Sequence, residues 1–312
     1  MYFKQMKYFM GVAQHGTFSA AALEMNISQP ALGLQVKKLE DHLKTELLER
    51  HSRGVKLTPA GEVFFNRAQK ILAEVEAAEA AIAELKGVVS GEITIASTPT
   101  AARALAPDLI DECSVAHRDI RLNFVQRLSR EVLDMEKTGS VDIGLAYDVV
   151  PEEGVFAEPL FSESLYVVGS AEAVGKTSEN IQFKELEKLP LVLERKSHNA
   201  RQILERMAER RDMNLSNVLE MDGVSIRREM VARGNKSTVT PYGLFLEEIM
   251  TGAFLARKIV TPEVGRTLYF VCQESRLESP IIKVMLETIK KQIKQRIEDG
   301  HYRWRSVNSG FS

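Results

Sequence analysis

The apolar positions of the first sixty residues fall at three- and four-residue steps, the spacing of one helix face, and three helices follow from them. Residues Phe3 to His15 place Met6, Phe9, Met10 and Ala13 on one side and end at Gly16. The stretch SAAALEMN predicts a short second helix with Ala20, Ala21, Leu23 and Ile27 available to pack. A third begins after Ser28, whose hydroxyl suits an N-cap, with Pro30 in the first turn where its missing N–H would be unpaired anyway. On this helix Ala31, Leu32, Val36 and Leu39 belong to a core shared with Phe18 and Leu23, whereas Ser28, Gln29, Gly33, Gln35 and Lys37 face outward. Two short helices separated by a tight turn are a helix-turn-helix pattern. Beyond it Leu47 and Leu48 read as buried, Arg50 to Val55 as a small hairpin tipped by Arg53 and Gly54, and Thr58 as the cap of a further helix.

From Pro59 to Lys86 there is no internal proline and, after Gly61, no glycine until Gly87. Val63, Ala68, Ile71, Leu72, Val75, Ala78, Ile82 and Leu85 continue the helical steps, a stripe that a lone helix would leave in water, so a partner helix is expected. Residues Gly87 to Gly91 read as a hinge. From Glu92 strand and helix patterns alternate. GEITIAST, IRLNFVQR and VDIGLAY read as strands, with helices near Leu105 to Ala116 and Ser129 to Thr138 between them. Phe156 to Leu160 and SLYVVGS add short strands, with the passage into a second lobe near Leu160 and Phe161. LPLVLERK opens that lobe, followed by helices over Asn199 to Arg211 and Val224 to Arg233, a strand-like Ser216 to Met221, and STVTPY. LYFVCQES returns to the first lobe before a basic amphipathic helix, Pro280 to Glu298, whose regular isoleucines favour packing over lying on a membrane. The expected organisation is multidomain, α followed by α/β. Residues 1–61 form a winged helix-turn-helix, residues 62–90 a linker and dimerisation helix with hinge, and residues 91–300 a two-lobed α/β domain. Lobe 1 takes about 91–160 and 268–300, lobe 2 about 161–267, and 301–312 a loose tail.

Composition changes this picture little: 44% hydrophobic and 27% charged residues describe an ordinary soluble chain, and the net charge of -2 excludes a polycation. Locally, residues 1–61 carry eight Lys or Arg against five acids, an excess of three that would help orient DNA. Cys113 and Cys272, the only cysteines, show no metal spacing and read as packing residues of a reducing compartment. No export signal and no uninterrupted apolar span is evident, so a cytoplasmic location without membrane contact is expected.

The outward face of the third helix is small, polar and basic, which suits a major groove. Ser28, Gln29, Pro30, Gly33, Gln35 and Lys37 are its candidate DNA-binding residues, with Arg50, Arg53 and Lys56 on the wing. In open α/β units ligands collect where strands end and helices begin. Ser97, Thr98 and Thr100, then Leu128 and Ser129, occupy such places, as do Ser197, His198, Asn199 and Arg201. Thr240 and Tyr242 flank Pro241 at another strand end, and Ala146 and Tyr147 close the set from the hinge side. The same hydroxyls could serve only as helix caps. His198 has no neighbour at metal spacing, so neither a metal nor another cofactor is expected, and GxSxG, HExxH, GxxxxGK[ST] and GxGxxG are all absent. An enzyme is therefore not expected.

The ordered block MKYFMGVAQHGTFSAAALEMNISQPALGLQVKKLEDHLKTELLERHSRGVKLTPAGE resembles transcriptional regulators of the LysR type, and the rest of the chain resembles them by architecture. The resemblance implies a homo-oligomer, a tetramer assembled as a dimer of dimers, with antiparallel linker helices and heads spaced for an interrupted palindrome in double-stranded DNA. It also implies a small effector in a two-lobed domain like that of periplasmic solute-binding proteins, and RNA polymerase as a further contact; the polar lining points to an anion, and Tyr147 and Tyr242 could instead flank an aromatic ring. The alternative is a cytoplasmic small-molecule-binding protein with a secondary or architectural nucleic-acid role.

Overall fold

The computed structural model describes residues 3–52, 54–84, 89–176, 180–215 and 218–307. Three helices open the chain: α1 (Phe3–His15), α2 (Phe18–Glu24) and α3 (Gln29–Leu43). Thr17 and Ser28 are the N-caps of α2 and α3, each accepting a backbone N–H from three residues on, Ala20 and Ala31. The hairpin β1 (Leu48–His51) and β2 (Gly54–Leu57) follows. Its start is held by Glu40 of α3, whose Oε1 accepts the N–H groups of Leu47 at 2.9 Å and Leu48 at 3.2 Å. Two glycines are required by contact, and Gly54 by its φ of +136° as well. A Cβ on Gly54 would stand 2.5 Å from the Gly16 carbonyl oxygen, and one on Gly61 2.0 Å from that of Leu47.

The head's core joins Phe9, Val12, Leu32, Val36 and Leu39 to Phe65 and Ala68 of the long helix α4 (Pro59–Glu84). Two expected core members lie outside it. Leu23 of α2 is 82% exposed and Ala31 of α3 is also exposed, since both side chains point away from the core that the three helices share. At 26 residues α4 is roughly 39 Å long. Its apolar stripe divides: Ala68 and Leu72 pack into the head, while Ile71, Val75, Ala78 and Ile82 line an open groove. Leu85 and part of the expected hinge, residues 87 and 88, lie outside the described residues.

The remainder is a two-lobed α/β structure. Lobe 1 contains β3 (Gly91–Ser97), α5 (Pro99–Ala116), β4 (Ile120–Gln126), α6 (Ser129–Lys137) and β5 (Ile143–Tyr147). The chain then enters β6 (Val155–Gly169), one 15-residue strand where two short ones were expected. Pro159 did not end it, because the pairing absorbs an irregularity between Leu268 and Tyr269 and continues. Lobe 2 holds α7 (Ala171–Val174), β7 (Ile181–Gln182), β8 (Val192–Leu193), α8 (Asn199–Glu209), β9 (Leu219–Glu220), α9 (Val224–Ala232), β10 (Ser237–Pro241), α10 (Leu246–Met250) and β11 (Leu255–Val260). Residues 216 and 217 of the strand-like stretch before α9 lie outside the described residues. The chain returns through β12 (Gly265–Gln273), then forms α11 (Pro280–Asp299) and β13 (Trp304–Arg305). The order β4-β3-β5-β12-β6-β11-β7 runs through both lobes. β6 joins them: up to Ser164 it pairs with β12, and from Leu165 to Gly169 with β10. The exchange falls four residues beyond Leu160–Phe161.

Each lobe has its own core, Ile95, Leu105, Phe161 and Phe270 with α11 in lobe 1, and Val167, Phe183, Leu204 and Ile259 in lobe 2. The apolar face of α11, Ile282, Met285 and Ile289 included, is buried there, as its periodicity predicted. The tail is not wholly loose. β13 pairs with β6 through Trp304 opposite Glu163 and Arg305 opposite Ser162; residues 308–312 lie outside the described residues.

Candidate functional site

Two regions carry the candidate residues. On the head, α3 presents Ser28, Gln29 and Pro30 exposed at its start, then Gly33 and Gln35 half-buried and Lys37 exposed. Ser19 Oγ donates to Gln29 Oε1 at 3.0 Å, which holds the amide in place and leaves its NH2 free to donate. Gly33 has open space around it, so a flat surface can approach the helix backbone there. Leu34, 55% exposed beside Gly33, belongs to the same face, though the sequence pattern assigned it to neither the core nor the outward set. Such an apolar side chain suits a thymine methyl. Lys37 pairs with Asp41 at 3.4 Å in the open. On the wing Arg50 lies 4.5 Å above the Phe18 ring and Lys56 is exposed; Arg53 lies outside the described residues.

The second region is a cavity of about 710 Å³ between the lobes. Thr98, Thr100, Leu128, Ser129, Tyr147, His198 and Asn199 line it, so seven of the thirteen expected residues converge. Six do not. Ser97 is fully buried beneath the rim, and its hydroxyl donates to the Thr98 carbonyl. Ala146 belongs to the core with Val132 and Val271. Ser197 is exposed outside the cavity, and Arg201 is buried against Glu205 at 2.6 Å and the Glu194 carbonyl at 3.2 Å. Thr240 is buried within β10, and Tyr242 packs against Tyr166 and under Arg303.

Four helices begin at this cavity, α5 and α6 from lobe 1 and α8 and α9 from lobe 2. Their N-caps are Thr98, Leu128, His198 and Gly223, and none of these four side chains accepts a first-turn N–H. First-turn N–H groups without an N-cap side chain and the positive helix ends therefore favour an anion, although at α6 Glu131 already accepts the Leu128 N–H at 2.9 Å. Thr98 strengthens the point, since it is only 7% exposed and its Oγ1 has no partner among the described residues.

The cavity's cations were largely missed in the sequence. Arg266 from β12 donates to Glu163 and Thr100, each at 2.9 Å, and its guanidinium lies 3.6 Å above the Tyr147 ring. Burial pushes the Tyr147 phenol well above its ordinary range. Arg227, 1% exposed, donates to Glu194 at 2.8 Å, and Arg228 to Glu248. Carboxylates thus neutralise three arginines, leaving Arg103, one turn into α5, without an ion pair among the described residues. Across the gap, Asn199 Nδ2 donates to Asp148 at 3.0 Å, a direct link between lobes. Among the described residues no group of His, Cys, Asp and Glu could hold a metal ion.

Comparison with known proteins agrees with this division. Residues 3–62 match the bacterial regulatory helix-turn-helix proteins of the lysR family, and residues 86–294 match the LysR substrate binding domain. The chain is 24% identical to the HTH-type transcriptional regulator BbuR of Bordetella bronchiseptica over 95% of this chain and 91% of that one. It is 30% identical to a probable hydrogen peroxide-inducible genes activator of Streptomyces viridosporus, covering 85% of each. A full-length OxyR from Pseudomonas aeruginosa, solved as a cysteine-to-aspartate variant, superposes with a TM-score of 0.74 at 25% identity, covering 93% of this chain and 95% of that one. CbnR complexed with its target DNA shares the fold, with a TM-score of 0.53 at 21% identity over 94% of this chain and 100% of that one.

Proposed function

The chain belongs to the LysR family of bacterial transcriptional regulators, proteins that are not enzymes, and on that premise we propose that it is an oligomeric, cytoplasmic operator-binding protein governed by a small organic anion. DNA is read by the outward face of α3, with Gln29, Gln35 and Leu34 at base edges and Lys37, Arg50 and Lys56 at phosphates. The uncovered groove of α4, lined by Ile71, Val75, Ala78 and Ile82, supports pairing of two chains there. Two heads so joined read an interrupted palindrome. A second contact, at the edge strand β4 and the neighbouring exposed Ile110 and Val115 of α5, would complete a dimer of dimers. RNA polymerase is the partner through which such a promoter-bound assembly would act.

The observation that carries the ligand class is the convergence of four helix starts on one cavity with a buried Thr98 hydroxyl that has no partner, and an Arg103 that has no ion pair, among the described residues. The paired state of the other three arginines points to one acidic group, and Pro99, Leu128, Tyr147 and Leu244 offer an apolar seat for the body attached to it. Selection of sheared genomic DNA on the purified protein tests the operator reading. A few intergenic sites sharing an interrupted palindrome are expected, and no enrichment by folded, oligomeric protein would refute it. The ligand class is tested by thermal melts with matched pairs such as benzoate and benzamide, in which only the acid should stabilise. Equal shifts from acid and amide would refute a charge requirement.

A further inference from the structure

The cavity and the DNA-binding head meet on opposite ends of one short helix. α6 starts at the cavity, where Leu128 and Ser129 are part of the wall and Ser129 Oγ accepts the backbone N–H of Tyr147 at 3.1 Å. Its other end faces the head. Gln14 of α1 donates to the Thr138 carbonyl at 2.7 Å, and Gln69 of α4 to that of Lys137 at 3.1 Å. Gln273, at the end of β12, donates to the Glu136 carbonyl at 3.2 Å. The Lys137 and Thr138 carbonyls lie where the helix runs out of intrahelical partners, whereas the Glu136 carbonyl also accepts the Gly139 N–H at 2.9 Å. Three glutamine amides therefore reach the end of α6, Gln14 from the head, Gln69 from the linker helix α4 and Gln273 from lobe 1.

The geometry is close at both the cap and the body of the helix. A Cβ on Gly139 would stand 2.9 Å from Gln69 Nε2 and 3.5 Å from Gln14 Nε2, so the backbone passes directly under the two amides. Midway, Val132 is fully buried, and it presses on Gly144 of β5, where a Cβ would stand 2.8 Å from Val132 Cγ1. A nine-residue helix spans roughly 14 Å and is short enough to move as one body.

Resting on the reading that the cavity takes an effector, we infer that α6 is the strut through which cavity occupancy sets the docking of the DNA-binding head on lobe 1. A ligand seated at the start of α6 changes the contacts of Leu128, Ser129 and the first-turn N–H groups. Close-packed interiors admit few arrangements, so a shift of the helix on its sheet carries the Lys137 and Thr138 carbonyls with it and remakes or breaks their bonds to Gln69 and Gln14. Gln69 lies on α4, so the same contact acts on the linker as well as on the head. The coupling is a difference in ligand affinity between docked and undocked heads, and by reciprocity operator DNA alters ligand affinity by the same factor.

A double-mutant cycle on the full chain tests this with an operator fragment recovered by the genomic selection. Leu128→Trp puts bulk into the cavity at the start of α6, standing in for a ligand. Gln14→Met with Gln69→Met keeps side-chain length and helix propensity while removing both donors. Substitutions this far apart without shared partners should add if they act independently. The expected result is a change of about threefold or more in operator affinity from Leu128→Trp in the parent, falling below about 1.5-fold in the double-methionine background. The same change in both backgrounds, or none in either, overturns the inference. Should Leu128→Trp fail to show a cooperative melt, Ser129→Ala, which removes only the hydroxyl that accepts the Tyr147 N–H, enters the same cycle with the same two outcomes. A parent protein that binds no operator refutes the regulator reading itself and this inference with it.

Discussion

Trp304 donates its indole N–H to Glu163 Oε2 at 3.0 Å, while the other oxygen of that carboxylate accepts from Arg266 at 2.9 Å. Trp304 also lies flat on Phe161, with ring centroids 3.8 Å apart and planes within 16°. The only tryptophan of the chain is thus tied to the buried pair that reaches the cavity through Thr100. Trp304→Phe keeps the stack and loses the bond, and should lower stability by about 1–3 kcal/mol, the cost of an unpaired buried acceptor. Trp304→Ala should cost about 3–5 kcal/mol. Denaturant titration decides: losses no larger than those of an exposed substitution would show that the tail does not anchor lobe 1. The intrinsic fluorescence of the parent should shift on adding a ligand that engages Arg266.

Glu136 is fully buried in the last turn of α6, and neither carboxylate oxygen has a partner among the described residues. Burial pushes its carboxyl up to about 7; Lys137 opposes that shift and Glu152 adds to it. The native pKa lies above the unfolded one, so the native state binds the proton more tightly. The resulting stabilisation is complete below the unfolded value of about 4.5 and is lost as pH rises through about 7. Melting temperature should therefore fall between pH 6 and pH 8 in the parent, and Glu136→Gln should flatten that fall and gain about 1–3 kcal/mol at pH 8. An unchanged pH profile in Glu136→Gln would show that another group titrates.

What the sequence revealed followed from periodicity, and what it concealed followed from long-range packing. The helices of the head and α11 were legible because Phe9, Leu32, Val36 and Ile289 repeat at helical steps and are buried together with their neighbours. Leu23 and Ala31 fit the same steps, yet no neighbouring element covers them. Of the seven expected residues that line the cavity, six stand at helix starts and Tyr147 at the end of β5, because the ends of strands and the starts of helices are a local signal. Arg227 and Arg266 were invisible for the opposite reason, as their burial depends on Glu194 and Glu163, distant in sequence. A hint existed in Arg227, which stands among Val224 and Val231 on the inner side of α9. Nothing local indicated that Trp304 would find a strand partner 141 residues away.

The resemblance to a probable hydrogen peroxide-inducible activator invites a redox reading. The thiols argue against it. Cys113 and Cys272 are free and buried in the core of lobe 1; burial raises the pKa of Cys113 and pushes that of Cys272 up to about 12. Thiolate is the reactive form, so both should be inert near neutral pH. Exposure of native protein to peroxide should leave two titratable thiols after denaturation and the same operator affinity as before. Loss of a thiol with a change in DNA binding would restore the redox reading.

The hydrogen bond from Ser19 Oγ to Gln29 Oε1 gives the α3 face its sharpest prediction. With the amide oxygen engaged, Gln29 can donate but has less freedom to accept, which matches an acceptor on a base edge or a phosphate. Gln29→Ala should weaken operator binding by about 1–3 kcal/mol if it reads a base, with relaxed preference at one position of the half-site. Ser19→Ala should weaken it less, by loosening the amide without removing it. Lys56→Ala, on the exposed wing, should instead reduce affinity for all sequences alike and flatten the salt dependence by about one counterion per head. Competition binding at two salt concentrations separates the two behaviours. If Gln29→Ala lowers affinity evenly across sequences, as Lys56→Ala should, its contact is to the DNA backbone; if it changes nothing in a protein that melts normally, α3 does not carry recognition through Gln29.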